Sequence, residues 1–144
     1  MSQKSKRTQL TWQGGMAFTV EQDGHSFLID AAEDNDGKDQ GPRPKALLLS
    51  SLAGCTGMDV VSILKKMKIT GFTFSLQVDA GMTEKHPKIF KDVVLWYRFE
   101  GKDLPLERIR RAVELSENTY CGVSEMLRKA MTISTKIVVN GEEI

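Results

Sequence analysis

Cysteine, histidine and proline are scarce in this chain, whose 144 residues include two cysteines, two histidines and four prolines. Two cysteines are too few for the disulfide framework of a small secreted protein. His25 and His86 have no second ligand at the short spacing that zinc sites use, so we expect no metal ion. The cysteines are then either thiols with a chemical role or small buried side chains.

An excess of charge is also lacking, since 20 Lys and Arg residues stand against 19 Asp and Glu residues. This balance offers no electrostatic reason to expect nucleic acid or an anionic membrane as a partner. The N-terminal MSQKSKRTQ has no apolar run of the kind that signal peptides contain, so we expect a cytoplasmic protein. Gly14 and Gly15 lack the surrounding pattern of a phosphate-binding loop, and we expect no cofactor.

One segment, LLLSSLAGCTGMDVVSIL at 47–64, is almost wholly apolar or small. Its uncharged part, 46–58, is shorter than the roughly 20 apolar residues of a membrane span. We therefore predict a buried helix over about 44–67. The prolines before this helix suit a helix start, and the lysines at its end suit the negative end of the helix dipole.

Small residues recur four apart within this helix, where Ser50 pairs with Gly54 and Ala53 pairs with Gly57. Residues at this spacing share a helical face, so each pair lets another backbone approach closely. A glycine inside a helix costs about 1 kcal/mol relative to alanine, which calls for a packing reason. The neighbour is either the same helix of a second subunit or a covering sheet.

The rest of the chain predicts strands and two shorter helices. Turn signals at Gly14-Gly15 and Asp23-Gly24 predict two hairpins, and the acidic stretch after them predicts an exposed loop. Alternation of apolar residues predicts a half-buried strand next to a partner strand. The predicted ranges are strands at 71–80, 89–99 and 131–141 and helices at 105–116 and 122–129. This order describes a single α+β domain over 1–144.

The two thiols differ in their predicted surroundings. Cys121 lies at the start of a predicted helix, where free N–H groups favour an accessible, reactive thiolate. Cys55 lies in the apolar helix, where burial raises the pKa of a thiol, and the charge of Asp59 raises it further if it faces the sulfur. A nucleophile at Cys55 then needs a nearby cation. Either cysteine could instead be an inert buried side chain.

Three stretches, read in order, carry a resemblance: GPRPKALLLSSLAGCTGMDVVSILKKMK, EKHPKIF and LSENTYCGVSEMLRKA. Together they resemble the OsmC/Ohr family of organic hydroperoxide reductases, and most closely its small OsmC-like bacterial branch. The resemblance implies an α+β fold in which antiparallel sheets enclose long central helices in an intertwined homodimer. It also implies that Cys55 attacks the peroxide to form a sulfenic acid. Cys121 would then condense with it to a disulfide.

The resemblance further implies the partners of this cycle. A dithiol such as dihydrolipoamide would reduce the disulfide. An apolar pocket around the thiol would favour small apolar organic hydroperoxides over hydrogen peroxide. The alternative is a dimeric small-molecule-binding or stress protein that keeps the fold but lacks efficient peroxidase activity.

The chain departs from the family pattern at two activating positions. Members of the family carry a glutamate after the proline that opens the central helix and an arginine after the glycines of the first hairpin. Lys45 and Met16 occupy these positions here. Arg43 is our preferred substitute cation for Cys55, because its guanidinium stays protonated. It lies two turns or more from Cys55 in its own chain, so we expect it to approach Cys55 across the dimer. The alternatives are that Lys45 serves instead, or that Arg43 only caps the acidic loop before it.

Overall fold

The computed structural model describes residues 5–144, which divide at Leu48 into two compact units. The elements are β1 (Thr8–Trp12), β2 (Phe18–Gln22), β3 (His25–Ile29), a 3-10 helix (Glu33–Asn35), α1 (Ala46–Lys66), β4 (Phe72–Met82), β5 (Phe90–Gly101), α2 (Leu106–Leu115), a π-helix (Ser116–Tyr120), α3 (Gly122–Leu127), β6 (Thr132–Val139) and β7 (Glu142–Glu143). The predicted helices and strands are confirmed, with their ends shifted by a few residues. The π-helix was not predicted.

The N-terminal unit contains an antiparallel sheet in the order β1-β2-β3. Both predicted hairpins are present. Gly15 and Gly24 take positive φ angles of 56° and 79° in the two turns, a region that glycine enters without steric cost. The turn signals in the sequence therefore mark the true reversals of the chain.

The loop after β3 is organised by a buried carboxylate, although the sequence predicts only an exposed loop. Asp30 is 3% exposed and accepts hydrogen bonds from the backbone N–H groups of Ala31 (2.8 Å), Lys38 (3.1 Å) and Gln40 (3.2 Å). Burial opposes ionisation of Asp30, but these donors and then the charge of Arg43 hold its pKa below the usual value. One side chain thus closes the loop.

The C-terminal unit contains a four-stranded sheet in the order β4-β5-β6-β7. The β4–β5 and β6–β7 pairs are antiparallel, whereas β5 and β6 are parallel. The parallel pair arises because α2, the π-helix and α3 form a crossover that returns the chain to the same end of the sheet. The fold is therefore a mixed α+β fold, as predicted.

The core of this unit consists of apolar side chains from α1, α2 and the sheet. Phe74 of β4 stacks on Phe99 of β5 with ring centroids 4.5 Å apart. Side chains that are fully buried in this core include Leu52, Val60, Leu64, Leu95, Tyr97, Phe99, Ile109 and Val113. The alternating pattern predicted for 71–80 is confirmed, because β4 turns every second side chain towards this core.

Helix α1 buries one face and leaves another open. Met58 is 78% exposed and Val61 is 47% exposed, and only 28% of the most apolar stretch of this helix is buried. By length and composition alone, this helix could cross a membrane. A Cβ on Gly57 would lie 2.9 Å from Leu76 Cδ1, so the close packing of β4 on α1 accounts for a glycine at this position. A Cβ on Gly54 would meet nothing within 4 Å, so packing against the sheet gives no reason for a glycine at position 54.

Candidate functional site

The two thiols and one carboxylate meet inside the C-terminal unit. The sulfurs of Cys55 and Cys121 and a carboxylate oxygen of Asp59 all lie within 4.8 Å of one another. Cys55 and Asp59 lie one turn apart on α1, and Cys121 immediately precedes α3. Both thiols are free, and their sulfurs are close enough to form a disulfide after a modest approach.

Cys121 is placed by the π-helix that precedes it. Its backbone N–H donates to the carbonyl of Ser116 at 2.7 Å, a bond that spans five residues. Its sulfur accepts a hydrogen bond from the N–H of Ser124 at 3.4 Å and so caps α3, as the sequence predicts. Cys121 is only 3% exposed, however, so the predicted accessibility is wrong for the single chain.

Asp59 is oriented by a buried serine. The Ser116 hydroxyl donates to the Asp59 carboxylate at 3.1 Å and lies 2.9 Å from the Thr56 hydroxyl. The Thr56 hydroxyl in turn lies 2.5 Å from that of Tyr97. Ser116, Thr56 and Tyr97 are fully buried, which makes this hydroxyl chain costly to break.

The hydroxyl chain ends at a glutamate on the π-helix. Tyr97 donates to Glu117 at 3.2 Å, and Thr135 of β6 donates to the same carboxylate. Arg128 lies 3.9 Å from Glu117 and also donates to its backbone carbonyl at 2.8 Å. Sequence analysis did not identify this network. Its one signal was Thr56, a polar residue on the otherwise apolar buried face of α1.

The surroundings of Cys55 disfavour its thiolate. Burial raises the pKa of the Cys55 thiol most, and the hydrogen bond with Cys121 raises it next. The backbone N–H of Val123 opposes the rise, and the charge of Asp59 adds to it. The raised pKa confirms the expectation from the sequence. None of these groups is a cation, and among them only the N–H of Val123 favours the thiolate.

The substitute cation predicted at Arg43 is occupied in its own loop. The guanidinium lies 2.7 Å from the carboxylate of Asp39 and donates to the carbonyl of Gly41 at 2.8 Å. These contacts match the alternative in which Arg43 caps the acidic loop. Lys45 and Met16 are both exposed in the N-terminal unit.

A cavity of about 510 Å³ opens beside Asp59. Its other lining residues are Ser62, Ile63, Lys66, Met67, Leu115 and Tyr120. Ile63, Met67 and Leu115 give the cavity an apolar side, while Asp59 supplies the acidic group next to the thiols. The cavity can therefore present a small apolar molecule to this end of the site.

The thiol pair does not form the four-ligand set of a closed structural zinc site. Among residues 5–144, Cys55, Asp59 and Cys121 are the Cys, His, Asp and Glu side chains that gather closely enough to surround an ion. They provide three donor atoms, whereas closed structural zinc sites use four. Neither histidine belongs to this group. Two adjacent thiols with one carboxylate are instead suited to thiol redox chemistry and proton transfer.

Comparison with known proteins identifies the family of this chain. The sequence model described as "OsmC-like protein" matches residues 37–136. Protein YhfA of Escherichia coli K12 is 33% identical over 129 residues, which cover 89% of this chain and 93% of that protein.

Solved structures share the fold. A hypothetical protein from Aquifex aeolicus VF5 is 27% identical with a TM-score of 0.83, over 97% of this chain and 99% of that one. The organic hydroperoxide resistance protein OhrB of Bacillus subtilis is 18% identical with a TM-score of 0.62, over 94% and 99%. Since the family model spans most of the chain and the YhfA match nearly all of it, this protein belongs to the OsmC-like family.

Proposed function

We propose that this protein is a thiol peroxidase that reduces organic hydroperoxides through a Cys55 sulfenic acid and a Cys55–Cys121 disulfide. The observation that carries this proposal is the approach of two free thiols, far apart in sequence, to within 4.8 Å. A sulfenic acid next to a second thiol condenses to a disulfide before it can be overoxidised. Cys121 therefore serves as the resolving thiol.

The cycle balances in three steps. The Cys55 sulfur attacks the terminal oxygen of the hydroperoxide, the O–O bond breaks, and the alcohol leaves with a proton. The Cys121 sulfur then attacks the Cys55 sulfur, an S–S bond forms, and the hydroxyl leaves as water. An external dithiol returns two electrons and two protons, which restores both thiols.

The apolar cavity beside Asp59 favours a small organic hydroperoxide as the substrate. Ile63, Met67 and Leu115 can pack against an alkyl or aryl group, which hydrogen peroxide lacks. The name of the OhrB neighbour, an organic hydroperoxide resistance protein with the same fold, agrees with this choice.

We also propose that the protein is an intertwined homodimer in which α1 packs against its counterpart. The open face of α1 is too apolar to stay in water, and Gly54 on that helix has no neighbour in its own chain. A groove between α1 and β4, lined by Gly54, Met58, Val61 and Leu76 among others, is continuous with this face.

We further propose that residues 1–144 form a single OsmC-like domain in the cytoplasm. The family match at 37–136 crosses the boundary between the two compact units, which supports one domain. Small soluble proteins are typical of the family, so a protein partner is a better cover for α1 than lipid.

The test is consumption of cumene hydroperoxide with dihydrolipoamide as reductant. We expect turnover by the wild type, none by Cys55→Ser, and inactivation of Cys121→Ser as its sulfenic acid overoxidises. Mass spectrometry of the wild type after one equivalent of peroxide should find a disulfide that joins Cys55 to Cys121 within one chain. Two thiols that stay free and oxidise slowly would refute the proposal.

A dimeric binding protein without efficient peroxidase activity is the second candidate. The raised pKa of Cys55, due first to burial and then to its hydrogen bond with Cys121, favours this candidate because a thiol is a weak nucleophile. It predicts that apolar ligands bind to the wild type while the hydroperoxide concentration stays constant.

A further inference from the structure

Among residues 5–144, the groups that shift the pKa of Cys55 include no cation that would favour its thiolate. Cys55 contacts Cys121 and the N–H of Val123 and faces the negative charge of Asp59. The thiolate is the form of cysteine that attacks peroxides. If Cys55 reacts, its proton has to leave as the sulfur attacks, and a nearby base has to receive it.

We propose that Asp59 is the proton-transfer residue of the thiol pair, taking the proton from each attacking thiol and passing it to each leaving group. This inference rests on the proposed peroxidase activity. A carboxylate oxygen of Asp59 lies within 4.8 Å of the sulfurs of Cys55 and Cys121, so Asp59 can serve both the attack on the peroxide and the formation of the disulfide. The carboxylate also borders the cavity proposed to admit the peroxide.

Each proton is accounted for in this scheme. As the Cys55 sulfur bonds to the terminal peroxide oxygen, Asp59 accepts the thiol proton and the O–O bond breaks. Asp59 then protonates the alkoxide, which leaves as an alcohol. In the second step Asp59 accepts the proton of Cys121 and gives it to the departing hydroxide, which leaves as water. Asp59 ends each step as a carboxylate.

Ser116 is the positioning residue for this carboxylate. Its hydroxyl donates to Asp59 at 3.1 Å and is fully buried. The other carboxylate of the network, the half-buried Glu117, accepts from Tyr97 and Thr135 at the far end of the hydroxyl chain. Asp59 is therefore the carboxylate placed to exchange protons with the two thiols.

The substitution Asp59→Asn distinguishes a proton-transfer role of Asp59 from mere repulsion of the Cys55 thiolate. Loss of proton transfer slows peroxide consumption, whereas loss of repulsion makes Cys55 more reactive. Asparagine keeps the size of the side chain and an acceptor for Ser116 but removes the charge. Without that charge the Cys55 thiolate is easier to form. Alkylation of Cys55 by iodoacetamide at neutral pH, measured with Cys121→Ser also present, should therefore become faster.

Consumption of cumene hydroperoxide by Asp59→Asn, with Cys121 intact, should instead fall by about 100-fold or more, the usual size of general acid–base catalysis. Because unfolding would also expose Cys55 and speed its alkylation, circular dichroism and a cooperative urea transition must first show that the variant is folded. The matched control is Asp92→Asn, which removes an exposed carboxylate on β5 and should leave both rates unchanged.

The possible outcomes separate this inference from the proposed activity. If peroxide consumption by Asp59→Asn stays equal or rises with alkylation, Asp59 only repels the thiolate and the inference is overturned while the activity stands. If the wild type consumes no peroxide, both fall. If Asp59→Asn does not fold, Ser116→Ala decides, because it releases the carboxylate from its hydrogen bond. Unchanged peroxide consumption by that variant overturns the inference.

Discussion

At the scale of single residues, the half-buried thiol of Cys55 links protonation to stability. Burial, and next the hydrogen bond with Cys121, raise the pKa of Cys55 in the folded protein. A raised pKa means that the folded state binds this proton more tightly than the unfolded chain does. The resulting stabilisation is fully present below the free thiol pKa of about 8.5 and is lost as pH rises through the higher folded value.

We therefore expect the free energy of unfolding of the reduced protein to fall more steeply above pH 8.5 in the wild type than in Cys55→Ser. Urea denaturation at pH 7, 8.5 and 10 measures this difference. Tyr97, whose pKa is raised mainly by burial, contributes equally to both proteins and cancels in the comparison. Parallel curves would show that Cys55 ionises in the folded state as it does in the unfolded chain.

The hydroxyl of Tyr97 is a second residue with a measurable role. Tyr97→Phe removes one of the two hydroxyl partners of Thr56 and one of the donors to Glu117, while the ring stays in the core. Thr56 keeps Ser116 and Glu117 keeps Thr135, so the cost is that of lost hydrogen bonds, about 1 kcal/mol each. We expect a loss of stability of this size in urea denaturation. Tyr120→Phe, at a side chain that is 61% exposed, is the matched control and should change little.

At the scale of elements, sequence patterns predicted the helices, strands and turns that depend on residues close together in the chain. Turn glycines marked the hairpins, and the alternating residues of β4 marked a half-buried strand. The π-helix was not predictable in this way. Ser116 bonds there to Thr56 and Asp59 of α1, nearly 60 positions earlier, and such contacts leave no periodic trace in the sequence.

The loop closed by Asp30 makes a prediction at the same scale. Asp30→Ala removes the acceptor for the backbone N–H groups of Ala31, Lys38 and Gln40. We expect trypsin to cleave after Lys38 at least several-fold faster in this variant, as local opening becomes easier. Asp34→Ala, at an exposed position of the same loop, is the control. Equal cleavage of both variants would mean that the loop is held by other contacts.

The same carboxylate sets a pH dependence for this loop. Because the pKa of Asp30 is lowered in the folded protein, its contribution to loop order is present above the usual value of about 3.9. It is lost as pH falls through the lower folded value. The loop should therefore stay ordered in mildly acidic buffer, where exposed carboxylates begin to protonate.

At the scale of the whole molecule, the resemblance predicted the family, and the comparisons confirm it. The placement of the thiols relative to one another could be inferred from that resemblance but not from spacing. The positions of Lys45 and Met16 showed that the familiar activating pair is missing. They did not show that Asp59 lies beside the sulfurs, because that depends on how α1 packs against the crossover.

The proposed homodimer is tested at Gly54. Gly54→Leu adds a side chain where the single chain has open space, so a monomer would tolerate it. A partner helix packed on this face would not, and we expect the variant to dissociate. Glu114→Leu adds leucine at an exposed position of α2 and should leave the assembly unchanged. Light scattering of the wild type that gives a folded 16.1 kDa monomer at micromolar concentration would rule out the dimer.

The π-helix makes the position of Cys121 depend on the length of the chain between α2 and α3. A π-helix is an α-helix with one residue inserted, and here the insertion lies between the packed turns of α2 and Cys121. Deletion of residue 118 or 119 should therefore break the bond from the Cys121 N–H to the Ser116 carbonyl, which spans five residues, and displace the thiol. The buried side chains of α2 lie before the deletion and should keep their packing. A change of one residue in length would then separate the two thiols without removing either of them.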